Sequence, residues 1–167
     1  MSAETGSRRA FVGLGSNLDD PAGHIRRAAR ELDDLTATRL VDVSSLYGSR
    51  PMGPSDQPDY VNAVAEVATG LAPLALLDAL QELERHHRRV RVRRWGPRTL
   101  DLDLLVYADL QMRAERLTLP HPGLHERNFV LYPLAELAPD LHVPGKGRVV
   151  DLLAGVSRDG LWKLEHE

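Results

Sequence analysis

The hydrophobic pattern of this chain switches between strand and helix periods in the order β-α-β-β-α-β, and few folds accept that order. Arg9 to Leu14 is a short, mostly apolar run ending in Gly13-Leu14-Gly15-Ser16-Asn17, a first strand leaving into a turn. Asp19-Asp20-Pro21 offers a helix cap followed by proline in the first turn. Ile25, Ala28, Ala29, Leu32 and Leu35 follow at helical spacing. Thr38 to Tyr47 is rich in β-branched residues and predicts a second strand; Tyr60 to Val67 alternates as a third. Between them, the proline- and glycine-bearing stretch Gly48 to Asp59 is a loop whose length favours a functional role. Ala72-Pro73 opens a second helix with Leu74, Leu77, Leu80 and Leu83 on one side, and Leu100 to Tyr107 is a fourth strand. This is the split order of a ferredoxin-like α+β core. The chain from Pro120 onward is proline-rich, with a helix expected over Glu126 to Leu137 packed as an appendage. Residues 1–167 read as one domain.

Composition removes several alternatives. Net charge is −3, so the molecule as a whole is no nucleic-acid sponge. There is no cysteine, which rules out disulfides and thiolate metal sites. No apolar run is long enough to span a bilayer, and Met1 to Arg9 is polar. A cytoplasmic protein is therefore expected.

Asp101 and Asp103 stand two apart on the fourth strand, so both carboxylates project from one face while Leu100, Leu102 and Leu104 take the other. Adjacent carboxylates repel unless a cation lies between them, and hard oxygen ligands at this spacing suit magnesium. The same pattern also describes the solvent face of an edge strand. Immediately before it run Arg85, Arg88, Arg89, Arg91, Arg93, Arg94 and Arg98, with Gly96-Pro97 making a constrained loop. Guanidinium forks bind phosphate oxygens, and cations beside a metal site suit phosphoryl transfer. A solvated charged face or a patch for nucleic acid is the other reading of such a run. Gly13-x-Gly15 lacks the rest of a phosphate-loop motif and reads as a turn.

The residues from Arg89-Val90-Arg91 through Arg94-Trp95-Gly96-Pro97-Arg98-Thr99-Leu100-Asp101-Leu102-Asp103 resemble the signature of the 6-hydroxymethyl-7,8-dihydropterin pyrophosphokinases of folate biosynthesis. Other stretches carry the same resemblance: Val12 to Leu18, Ser44 to Tyr47, Pro51 to Pro54, Asp56 to Ala63, Arg116 to His121 and Arg127 to Leu131. Together they span nearly the whole chain in order.

The resemblance implies a three-layer α/β domain with a mainly antiparallel sheet. It implies transfer of diphosphate from ATP to the hydroxymethyl group of 6-hydroxymethyl-7,8-dihydropterin, with two magnesium ions (Mg2+) held by Asp101 and Asp103. Arg89 and Arg98 match arginines associated with catalysis. Gln81, Glu84, Arg91, Arg98, Arg116, Thr118, His121 and Arg127 match nucleotide positions. Ser49, Met52, Tyr60, Asn62, Trp95 and Phe129 match positions around the pterin. Asn62 lies on the same strand face as Tyr60, where an inward amide needs partners. Without the resemblance, Phe129 reads as core and Glu84 as a surface partner of Arg88. Three departures stand out: Arg88 where glycine is common, Pro122 where some members carry an aromatic residue, and Ser49 for threonine. The loops Gly48–Asp59 and Arg88–Pro97 are expected to close over both substrates. A monomer acting on small molecules, with no nucleic acid and no membrane, is expected. The rival readings are a non-catalytic ferredoxin-like RNA- or ligand-binding module, or another magnesium-dependent transferase.

Overall fold

The computed structural model describes residues 7–18, 20–50, 59–89 and 100–164, and of Arg88 and Arg89 the backbone alone. A first strand, β1 (Arg8–Ser16), leads into α1 (Pro21–Leu32). Two short strands, β2 (Thr38–Val43) and β3 (Tyr47–Ser49), precede the long β4 (Tyr60–Thr69). Then come α2 (Pro73–Arg89) and β5 (Leu100–Tyr107). The small hairpin β6 (Met112–Arg113) and β7 (Thr118–Leu119) leads through a 3-10 turn to α3 (Asn128–Leu137). The chain finishes with β8 (His142–Val143), β9 (Gly147–Arg148), α4 (Val149–Leu153) and β10 (Leu161–Lys163).

The main sheet has the order β10-β3-β4-β1-β5, with β2 also on β4, and every pairing in it is antiparallel. One face packs on α1 and α2 through Val12, Leu14, Ile25, Leu32, Leu76, Leu80, Leu100, Leu102 and Leu104. The other packs on α3 through Phe11, Val64, Leu105, Val106, Leu131 and Leu134. The result is the three-layer arrangement that the family resemblance implies. The expected appendage is therefore a full layer: α3 closes a second core.

Local chemistry explains where the elements start and break. Asp20 caps α1, its carboxylate accepting from Gly23 N at 3.3 Å, and Pro21 follows at the first helical position. The expected single strand from Thr38 to Tyr47 is broken, because the Ser44 side chain takes a ladder position: Val64 N donates to Ser44 Oγ at 3.0 Å. On α2, Leu74 is exposed and Leu76 holds the core place instead. The expected helix from Glu126 starts at Asn128, after a 3-10 turn at Leu124–Glu126 and an extended Arg127. The first strand runs on through Gly13 and Gly15, which are strand residues and not a turn.

A polar cluster ties α3 to the sheet edge. The Tyr47 hydroxyl donates to Glu136, Ser45 N donates to Glu136 Oε1 at 2.8 Å, and Lys163 Nζ lies 3.3 Å from Oε2. Burial and the Glu136 charge push the Tyr47 hydroxyl well above its ordinary range. Burial opposes ionisation of Glu136, but the bonds from Tyr47, Ser45 and Lys163 outweigh it and hold the carboxyl below its usual value. A depressed folded-state pKa gives stability that is complete above the free-chain value of 4.5 and is lost as pH falls through the folded value. Glu136→Gln is expected to cost about 1–2 kcal/mol at neutral pH, reduced by partial solvation of the cluster. The gap in Tm between the two proteins should shrink as pH falls from about 4.5 through the folded value of Glu136.

Candidate active site

Across the sheet, Asn62 pairs with Gly15 and Gly15 with Asp101; Val64 pairs with Gly13 and Gly13 with Asp103. Residues opposite one another in antiparallel strands share a face. Both aspartates therefore project on the α3 side, next to two positions that carry no side chain. The two glycines form a floor between the acidic strand and the Asn62 strand. A Cβ at Gly15 would lie 3.3 Å from Asn62 Oδ1, and one at Gly13 would lie 3.4 Å from Leu105 Cδ1. Side chains there would crowd the floor.

The alternation along β5 keeps its register through a bulge. Phe11 pairs with Val106 and Val12 with Leu104, so Leu105 is an extra residue that joins Val106 in the α3 core. Leu100, Leu102 and Leu104 face α1 and α2 as their spacing predicts. Past this bulge the α3 layer ends, and the uncovered part of the face becomes a cavity of about 200 Å³. Asp101, Asp103, Tyr60, Asn62, Phe129 and Arg127 line it, with Ser49 at its edge.

The cavity wall is braced. Asn62 is buried, and its Nδ2 donates to Ser49 Oγ at 2.8 Å. That leaves Oδ1 toward the glycine floor. Arg127, at the start of α3, sits with its guanidinium 5.9 Å from the centre of the Phe129 ring. Gly123 leaves room for it, since a Cβ there would come within 2.9 Å of Arg127 Nε. His121 sits close enough to Asp103 and Arg127 to feel both charges. Burial lowers its pKa, Asp103 opposes that and Arg127 adds to it, so the ring is neutral near pH 7. Its Nδ1 accepts from Gly123 N at 3.1 Å, which places the ring proton on Nε2.

The outer edge of β5 is covered by the residues matched to the nucleotide. Leu102 N, between the two aspartates, donates to Glu84 Oε2 at 2.7 Å. Glu84 is thus bound to the sheet edge; the Arg88 side chain lies outside the described residues. His121 N donates to Leu105 O at 2.8 Å. Arg116 binds Asp78 Oδ1 at 2.6 Å and Gln81 Oε1 at 3.1 Å, two residues before Thr118 on β7. The structure thus separates two groups. Gln81, Glu84, Arg116 and Thr118 lie beyond β5, whereas Ser49, Tyr60, Asn62 and Phe129 lie across the glycine floor. The aspartates, His121 and Arg127 stand between them. Met52, Arg91, Trp95, Arg98 and the Arg89 side chain lie outside the described residues, as do most of the two loops expected to close.

Among the described residues, no cluster of three or more acidic, histidine or cysteine side chains could hold a metal. Two carboxylates on one strand face suit a cation that takes its remaining ligands from water and phosphate oxygens, as magnesium does. Sequence reasoning missed Arg50, which lines the cavity at the end of β3. It also missed the floor: glycine positions signal a site only once their cross-strand partners are known.

Comparison with known proteins finds relatives over most of the chain. A sequence model of 7,8-dihydro-6-hydroxymethylpterin-pyrophosphokinase (HPPK) matches residues 11–139. The 2-amino-4-hydroxy-6-hydroxymethyldihydropteridine pyrophosphokinase of Haemophilus influenzae is 50% identical over 155 residues, covering 93% of this chain and 97% of that one. The Pseudomonas aeruginosa enzyme of the same name is 50% identical over 157 residues, covering 94% and 97%. Among solved structures, wild-type Plasmodium falciparum HPPK-DHPS with pteroate superposes with a TM-score of 0.68 at 14% identity. That match covers 89% of this chain and 42% of the other. An HPPK-DHPS in complex with substrates gives 0.71 at 11% identity, covering 89% and 43%. The chain thus spans less than half of those two solved chains, and at such identities the likeness concerns the fold. The chain belongs to the 7,8-dihydro-6-hydroxymethylpterin-pyrophosphokinase family.

Proposed function

We propose that this chain transfers the diphosphate of ATP to the hydroxymethyl group of 6-hydroxymethyl-7,8-dihydropterin, with Asp101 and Asp103 holding two magnesium ions at the centre. The hydroxymethyl oxygen attacks the β-phosphorus, the bond from that phosphorus to the oxygen bridging to the α-phosphorus breaks, and AMP leaves. The observation that carries the reading is the position of both aspartates between the two groups of side chains, one beyond β5 and one across the glycine floor. Bound magnesium would supply charge neutralisation of the phosphate oxygens.

The chain's own residues divide the remaining work. Asn62 and Ser49 read the edge of the pterin, and Tyr60 and Phe129 offer faces to its rings, with Met52 and Trp95 completing the pocket. Gln81, Glu84, Arg116 and Thr118 take the nucleoside end. His121, as a neutral ring, donates from Nε2 to a phosphate oxygen, while Arg127 and the segment bearing Arg89, Arg91 and Arg98 pair with phosphate charge. The hydroxyl proton passes to Asp103. The same reading takes the chain as a cytoplasmic monomer acting on small molecules and not on nucleic acid. The net charge of −3 supports the last of these. An RNA-binding sheet is disfavoured because the open face presents Asp101 and Asp103 to the ligand.

One assay tests the reading. Purified protein with ATP, magnesium and the reduced hydroxymethylpterin is expected to release AMP only when the pterin is present, and chelation of the metal should abolish release. AMP release indifferent to the pterin would refute it.

A further inference from the structure

One buried polar chain takes no part in the chemistry above. His24 on α1 and His87 near the end of α2 are each 2% exposed. Their Nδ1 atoms lie 2.7 Å apart, and His87 Nε2 lies 2.7 Å from Glu31 Oε1, about two helical turns further along α1. With a neutral His87, one direction satisfies these bonds. An ionised carboxylate only accepts, so His87 Nε2 carries a proton. The bare Nδ1 of a neutral His87 then accepts from His24 Nδ1–H. The run His24 to His87 to Glu31 is thus satisfied with both rings neutral.

Two imidazoles in a helix contact are an expensive choice. Buried polar groups cost stability unless every bond is made, and apolar side chains would fill the space at less cost. What the polar run adds is direction: its bonds form at one rotation and one height of α2 against α1. Leu76 and Leu80 seat the first half of α2 in the core, and Glu84 grips β5. Among the described side chains of α2, His87 is the last that binds before the helix ends at Arg89, less than a turn later. α1 itself packs on β1 and β4, the strands of the glycine floor.

We infer that His87, held by His24 and Glu31, is a positioning residue for the diphosphate transfer: it fixes the last turn of α2 against α1, and with it Glu84, whose carboxylate holds Leu102 N between Asp101 and Asp103. The inference rests on the role proposed above for Asp101 and Asp103.

The test compares His87→Leu with His87→Gln in the full chain. Glutamine keeps one donor for Glu31 and one acceptor for His24, whereas leucine fills space and makes neither bond. With leucine, kcat for AMP release is expected to fall about 10-fold to 100-fold, the cost of a small misplacement of charged groups. Pterin affinity, read by fluorescence titration, should stay within about twofold of wild type, and glutamine should restore kcat to within about threefold. Hydrogen exchange should quicken in residues 84–89 and not in the first half of α2. Unchanged kcat with leucine, equal loss in both variants, or pterin affinity falling in step would overturn the inference. If His87→Leu does not fold, Glu31→Ala, altered at a partly exposed position, takes its place with the same outcomes. A wild-type protein that releases no pterin-dependent AMP refutes the proposed function; an active wild type matched by the leucine variant refutes only the role of His87.

Discussion

Asparagine at position 103 is expected to lower pterin-dependent AMP release by about 1,000-fold at saturating magnesium while moving Tm by no more than about 2 °C. Asp103 is exposed on β5, and its backbone pairs with Gly13 whatever the side chain. The substitution is close to isosteric and removes one of two neighbouring negative charges, so the fold loses nothing and sheds some repulsion. The whole cost therefore falls on the reaction. Asp101→Asn should be comparably slow at low magnesium. The two variants should then part. Raising magnesium should recover Asp101→Asn in part, since a weakened ligand set is offset by mass action. Asp103→Asn should stay slow at every magnesium concentration, because the proton acceptor is gone. Wild-type rates for Asp103→Asn, measured by AMP release, would remove Asp103 from the mechanism. Parallel rescue of both by magnesium would leave it a ligand only.

That these two carboxylates form a site was only partly legible in the chain. Period-two spacing placed both on one strand face and the leucines on the other, and the sheet bears this out. What spacing along one strand cannot show is what lies beside it. Gly13 and Gly15 looked like a turn, because a glycine's role as a floor depends on Asn62 and Asp101 arriving from other strands. Glu84 looked like a surface charge because helix spacing reveals Arg88 as a neighbour but not the free N–H of Leu102. The break after Val43 was hidden for a similar reason: a serine side chain can stand in for a backbone acceptor only where a partner strand supplies Val64. His24 had the spacing of a core residue and the chemistry of a surface one. Only the packing of α1 on α2 brings His87 to it. Phe129 reads as core by composition, yet it stands where the α3 core gives way to the cavity.

The same boundary makes Phe11→Ala a strongly damaging change to the fold. Phe11 is fully buried between β1 and α3, beside Val64, Leu105, Leu131 and Leu134. Its removal leaves a cavity in the smaller of the two cores, which has few side chains able to collapse into it. The expected cost is about 3–5 kcal/mol. For a chain of this size that corresponds to a fall in Tm of about 6–20 °C. The position also matters for the site, because Phe11 pairs with Val106 across the bulge that sets Asp103 opposite Gly13. The ladder from Val12 to Ser16 and the Glu84 bond to Leu102 hold that register independently of the aromatic ring. The folded fraction of Phe11→Ala should therefore keep kcat within about tenfold of wild type, unlike Asp103→Asn. Saturating pterin and nucleotide should recover part of the lost Tm, since both bind only the folded state. A loss below about 1 kcal/mol in chemical denaturation would mean that α3 does not close a packed core on this face. The cavity would then have to be held by the Tyr47–Glu136 cluster and by the start of α3 alone.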